Sequence, residues 1–242
     1  MKQKIKDEIN FLKQDNNKTF SLALLFTTII LFVYCYFGSF SFFEKTFINC
    51  PNLNYYKIIY HNMMAFVLFF VIGTIFTKFV IKGPVSQFGL NAKNKKAIGA
   101  IILIALPIAI ICGLSTVLDS EMTSTYPLIN FAQNYKWYNL LLYFVSYFLY
   151  YVGWEYLFRG LLLFSANQKC GALGSILLTT LISALIHTSI GGFGKPMIET
   201  LSAIPAGLIF GYMALKTKSI YPSLVAHFFI GCFTDLFIFI LA

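Results

Sequence analysis

The sequence predicts an all-α polytopic membrane protein of about seven transmembrane helices, and three observations carry that prediction. The chain of 242 residues is 58% hydrophobic and only 11% charged, a balance that fits neither a soluble globular domain nor a disordered chain. Apolar runs of the length that crosses ~30 Å of hydrocarbon recur along it. The lysines alternate in density from one inter-span segment to the next, as the positive-inside bias requires.

The predicted spans are 20–43, 58–81, 97–118, 138–164, 171–187, 197–214 and 219–241. The fourth is long enough to be tilted or to protrude. The last three are joined by short segments and should form a compact hairpin bundle. Pro107, Pro205 and Pro222 fall inside apolar runs, which lipid tolerates because neighbouring helices satisfy the freed backbone groups. Residues 1–19 read as a cytoplasmic polar tail, 20–135 as an N-terminal transmembrane region, and 136–242 as a core built on the last four spans. The polar tail precedes a first span longer than a signal-peptide h-region, so no cleaved leader is expected.

The formal net charge of +9 invites a nucleic-acid partner, but its distribution argues against one. With the N-terminus in the cytoplasm, only Lys45, Lys57, Lys136 and Lys195 fall outside, and the other 13 lysines fall inside. The partner this implies is the lipid bilayer. Tyr55, Tyr56, Trp137, Tyr138 and Tyr221 stand near span ends, as an interfacial aromatic belt would place them. The five cysteines show no paired spacing, so neither a disulfide framework nor a zinc knuckle is expected.

Ionisable groups are costly at a helix centre, roughly 2.5–3.5 kcal/mol each on insertion scales. Lysines aside, almost every such group in the last hundred residues is one of Glu155, Arg159, His187, Glu199, His227 and Asp235. Glu155 and Arg159 share a helical face one turn apart. They are either an ion pair that fixes packing or a functional carboxylate with its counter-charge. Gly153 and Gly160 lie on a different face, where another helix can approach closely. Each histidine, taken singly, can simply bond a backbone carbonyl. Two histidines with a carboxylate can instead activate and hold a water and stabilise an oxyanion, or ligate zinc through His187, His227 and Glu155. The HExxH spacing of zinc proteases is absent, so no cofactor is expected and zinc is the runner-up. Counting the rise per residue from the cytoplasmic helix ends puts Glu155 and His187 within about 5 Å in height and His227 lower by about 10 Å.

Three segments give a more specific lead: "WEYLFRG", "SALIH" and "TKSIYPSLVAH". In order and spacing the last 105 residues resemble the CPBP (Abi) family of intramembrane endopeptidases, which includes the type II CAAX prenyl proteases and bacteriocin-processing or immunity proteins. The family's E-E-x-x-x-R motif maps its second Glu to Glu155 and its Arg to Arg159. F-x-x-x-H maps its His to His187, and H-x-x-x-N or H-x-x-x-D maps its His to His227. Three positions depart: Trp154 replaces the first Glu, to which that family assigns water activation, Ser183 replaces Phe, and Gly231 replaces Asn or Asp. Two acids are candidates to compensate. Glu199 follows "GGFGKPMIE" near the outer side, where its bland reading is an interfacial carboxylate at a helix start. Asp235 lies two turns beyond His227. The chain resembles a bacterial subgroup with a single-Glu W-E-x-x-x-R-G motif and a downstream G-K-P-x-x-E segment.

The resemblance implies an intramembrane endopeptidase of the bacterial cell membrane, cleaving a membrane-associated peptide or protein with Glu155, Arg159, His187, His227 and Glu199 at its site. A non-catalytic Abi-type scaffold or immunity protein is the alternative. A small proton-relaying transporter is a third reading, and the lack of internal repeats counts against it.

Overall fold

The computed structural model describes residues 3, 18–129, 131, 136–188 and 194–242. Apart from Gln3, the predicted tail up to residue 17 lies outside these. The described chain is helical: α1 Lys18–Phe37, α2 Phe40–Thr46, α3 Leu53–Ile81, α4 Lys95–Thr116, α5 Ser120–Thr125, α6 Trp137–His187, α7 Met197–Thr217 and α8 Tyr221–Leu241. Six of them (α1, α3, α4, α6, α7 and α8) are long and apolar enough to cross a membrane.

The difference from seven predicted spans lies in α6, a single assigned helix covering the predicted spans 138–164 and 171–187. It is broken at Gly171, which has φ 68° and ψ 179°, a conformation essentially restricted to glycine. The rings of Trp154 and His187 are 6.4 Å apart, whereas 33 residues of straight helix would separate them by ~50 Å. The chain therefore reverses, giving a first arm (137–170) and a second arm (172–187). The first predicted span, 20–43, is also shorter than expected. Helix α1 stops at Phe37, and Ser39 caps the separate α2 by accepting from the Phe42 N–H.

The first arm of α6 is the central element. Every residue from Gly153 to Leu163 is buried, as expected of a helix segment that is apolar on all faces. Helix α3 packs on one side, where a Cβ on Gly153 would stand 2.6 Å from the Ala65 carbonyl oxygen. Asn62 Nδ2 donates to Ser146 Oγ at 3.1 Å across the same contact. Helix α1 supplies Tyr34 and Leu31 to the cluster around Trp154, Phe158 and Leu162. The second arm packs on α7, with Thr180 against Gly207 and Ile176 against Gly211. Helix α8 lies between α4 and the first arm, with Phe233 closing on Gly113 on the α4 side. Two stretches of α3, Phe66–Val71 and Thr77–Ile81, and one of α6, Tyr156–Leu162, have π-helical pairing. Such wider turns occur frequently at functional sites.

Candidate active site

The contact between the first arm of α6 and α8 is built from two polar stripes with the same spacing. Tyr143, Tyr147, Tyr151, Glu155 and Arg159 recur every four residues on α6, and His227, Gly231 and Asp235 do so on α8. Residues four apart share a helix face, so each stripe can meet the other along three turns.

At the centre, Glu155 is fully buried. Its Oε1 lies 2.8 Å from His227 Nδ1 and 3.9 Å from Arg159 Nη1. Its Oε2 has no hydrogen-bond partner among the described residues. Arg159 sits in the π-helical stretch, with its guanidinium 5.8 Å from the Phe158 ring centre and 5.7 Å from that of Phe210. His227 is only partly buried and its ring lies 4.4 Å from that of Tyr151. Further along, the Tyr151 hydroxyl donates to Tyr147 at 3.0 Å, and Tyr143 donates to Asp235 Oδ2 at 2.5 Å. The three tyrosines were not among the sequence candidates. Their signal was the four-residue period running N-terminally from Glu155.

The height count from helix ends is corrected here for His227. His227, expected about 10 Å below Glu155, is its direct partner. His187, expected level with it, is engaged elsewhere: its Nδ1 donates to the Ser183 carbonyl at 2.5 Å, and its ring neighbours Trp154. Packing between distant elements sets which histidine meets Glu155, and rise per residue carries no information on it. Both histidines thus use Nδ1 as a donor, toward a carbonyl or a carboxylate. Each neutral ring is left with an acceptor at Nε2. Neither can donate to an oxyanion from Nε2 unless it is protonated.

Glu199 belongs to a second cluster. Its Oε2 accepts from the Tyr126 hydroxyl at 2.8 Å, its Oε1 lies 3.4 Å from Lys195 Nζ, and Lys195 also donates to the Tyr126 hydroxyl. Burial works against the Lys195 charge, but Glu199, together with Tyr150 and Asp235, outweighs it and holds the ammonium above its ordinary range. Burial, then the Glu199 charge, pushes the Tyr126 hydroxyl well above its usual value. Glu121 accepts from the backbone N–H of Met197 at 2.8 Å and so caps α7. An open cavity of about 550 Å³, lined by Glu121, Thr188, Lys195 and Met197 among others, lies beside this cluster and not at Glu155.

Trp154, where the motif has its first Glu, is core. It stacks on Phe158 with ring centres 5.3 Å apart and planes at 6°, edge-on to Tyr34 and Phe69. The trio that a zinc ion would need does not assemble. Among the described residues no three His, Cys, Asp or Glu side chains are grouped to hold a metal, and Arg159 lies beside Glu155.

Residues 136–233 match the family model for type II CAAX prenyl endopeptidase Rce1-like proteins. An Rce1-like domain is thus detected in the C-terminal part of the chain. The match spans Glu155, Arg159, His187, Glu199 and His227, and stops short of Asp235. No curated protein and no solved structure matches the chain.

Proposed function

We propose that the protein is an intramembrane endopeptidase, in which Glu155 activates a water for attack on a peptide bond of a membrane-associated substrate. The observation that carries this reading is a fully buried carboxylate with one oxygen held by His227 and Arg159 and the other without a partner. Leaving such an atom unsatisfied costs on the order of 1–3 kcal/mol, a cost that a site for water and substrate explains. The Rce1-like match and the apolar helices around the site support the same class of activity.

The division of labour follows from the bonds. Arg159 keeps Glu155 charged in a low-dielectric setting. Oε2 takes the proton of the attacking water. The bond to His227 also permits the proton to be taken at His227 Nε2, with Glu155 behind it as the orienting charge, and either route depends on Glu155. His187 and Glu199 come into play only if substrate binding moves the second arm of α6 and the start of α7 toward the site. Glu155 is sealed in the conformation seen, so a peptide reaches it when α8 and the arms of α6 part. We read Trp154 and the single Glu as a variant site of the W-E-x-x-x-R-G type in a bacterial membrane protein working without metal.

The packed Trp154 supports a second reading, a non-catalytic scaffold or immunity protein, because an indole fixed in the core fills the place of the motif's first acid. Purified protein in vesicles, given membrane-anchored peptides with products read by mass spectrometry, separates the two. Discrete cleavage at an internal peptide bond supports the peptidase, and stable capture of intact peptide supports the scaffold. The orientation, N-terminus inside, is tested separately with a membrane-impermeant thiol reagent. Cys50 should label from outside, and a cysteine introduced by Leu90→Cys should label only from inside.

A further inference from the structure

Stabilising the oxyanion that water attack creates needs a donor, and both site histidines direct their Nδ1–H elsewhere. The interface supplies one at Gly231. A Cβ built there would run into the Tyr151 and Tyr147 hydroxyls, so the absence of a side chain at 231 is what admits the two phenolic oxygens. They come from α6, one turn along α8 from His227, with the Tyr151 ring against the His227 ring. Both tyrosines are buried.

Counting protons gives the chemistry. Two hydroxyls carry two protons and share one hydrogen bond, from Tyr151 to Tyr147. One O–H is therefore left to give, whichever way the bond points, and no acceptor for it is found among the described residues. The donor left over and the Glu155 acceptor left over lie on one stripe of α6 and are linked through the His227 ring, which neighbours Tyr151 and bonds Glu155, giving one position for a carbonyl oxygen and one for a water.

We propose that the Tyr147–Tyr151 hydroxyl pair, which lies against Gly231, is the oxyanion donor of this site and binds the scissile carbonyl oxygen of the peptide when α8 and the first arm of α6 part. The proposal rests on the peptidase reading. In the step, the water oxygen bonds to the carbonyl carbon, its proton passes to Glu155, and the carbonyl π electrons move onto the oxygen that accepts from the tyrosine pair. Collapse expels the amine, which takes the proton from Glu155. The tyrosines give a hydrogen bond and no proton.

The pair is internally redundant, which sets the test. Tyr147→Phe and Tyr151→Phe each leave one hydroxyl whose proton is wholly available, so each should lower the cleavage rate less than tenfold. The double variant removes both phenolic donors and should lower kcat ~10²–10³-fold, the usual effect of losing an oxyanion donor, with KM and melting temperature little changed. Adding Gly231→Ser to the double variant returns a hydroxyl to the vacated space and should recover part of kcat. The substrate probe is a mixture of quenched-fluorescent, N-palmitoylated peptides in phosphatidylcholine–phosphatidylglycerol vesicles, with wild type and Glu155→Gln alongside. A double variant that cleaves at the wild-type rate while Glu155→Gln does not overturns this inference alone. Cleavage that survives Glu155→Gln, or a wild type that cleaves no peptide, overturns the peptidase reading and takes the inference with it.

Discussion

Two clusters in this protein use the same three kinds of side chain, a carboxylate, a cation and tyrosine, to opposite ends. At Glu199 both carboxylate oxygens are engaged, one by Tyr126 and one by Lys195, and the cation also donates to the tyrosine. The side chains of Lys195 and Glu199 are each about a fifth to a quarter exposed, and the cluster ties the segment after α5 to the start of α7. At Glu155 the carboxylate is sealed, its cation stands at the 3.9 Å limit of an ion pair, and one oxygen, together with Arg159 Nε, has no hydrogen-bond partner among the described residues. The first arrangement is closed and serves as a clamp. The second is costly as it stands, and groups retained at such cost inside a membrane usually have work to do.

Removing one charge from each cluster sharpens that contrast. Arg159→Met removes the cation beside the buried Glu155, and losing one member of a buried pair typically costs ~3–5 kcal/mol. A fall in melting temperature of roughly 6–20 °C, at ~2–4 °C per kcal/mol for a chain of this size, or failure to accumulate, is expected. Arg159→Lys should keep more of the fold but hold the carboxylate less well, since Lys lacks the planar fork.

Gly153→Ala sits between the two clusters in size of effect. Its Cβ would meet the Ala65 carbonyl, a backbone atom that cannot swing away, so overpacking of ~1–3 kcal/mol is expected, measured as loss of the folded fraction in a denaturant titration.

At the clamp, Glu199→Gln or Lys195→Met should cost under ~1 kcal/mol, the ordinary worth of a partly exposed ion pair, and should leave cleavage within a fewfold of wild type. A large loss of cleavage from Glu199→Gln with unchanged stability would return Glu199 to the site. The pH dependence has a definite sign. Lys195 and Tyr126 both bind their protons more tightly in the folded protein than at the ordinary values of 10.5 and 10.0. The folded state thus holds more protons above pH 10, and the clamp's contribution, complete below that, is lost as pH climbs through the raised values. Thermal melts between pH 8 and pH 11 should fall more steeply for wild type than for Lys195→Met.

What the sequence discloses follows the range over which each force acts. Hydropathy over twenty residues marks the spans, because crossing hydrocarbon is a local demand on composition. Glu155 and Arg159 stand out because charge is rare in such runs. The break between the fourth and fifth predicted spans, 138–164 and 171–187, already requires the chain to turn back, and the structure puts the turn at Gly171. Which histidine faces Glu155 depends on helix tilt and on the depth at which α8 starts, and both are settled by packing between distant elements. The tyrosine stripe was legible at a four-residue period, but aromatic residues on an apolar helix look like core until a glycine on the facing helix exposes their hydroxyls. Glu199 was legible as a candidate because its motif was visible, while its partner Tyr126, 73 positions away, was not.

The most direct test of the central claim is the cleavage rate and melting temperature of Glu155→Gln beside wild type. Gln matches Glu in shape and is cheaper to bury, but it cannot accept a proton from water. If Glu155 is the base, cleavage should fall ~10²–10⁴-fold while the melting temperature holds or rises. A Glu155→Gln protein that cleaves at the wild-type rate, or whose only defect is a lowered melting temperature, would make Glu155 a packing residue and contradict the account.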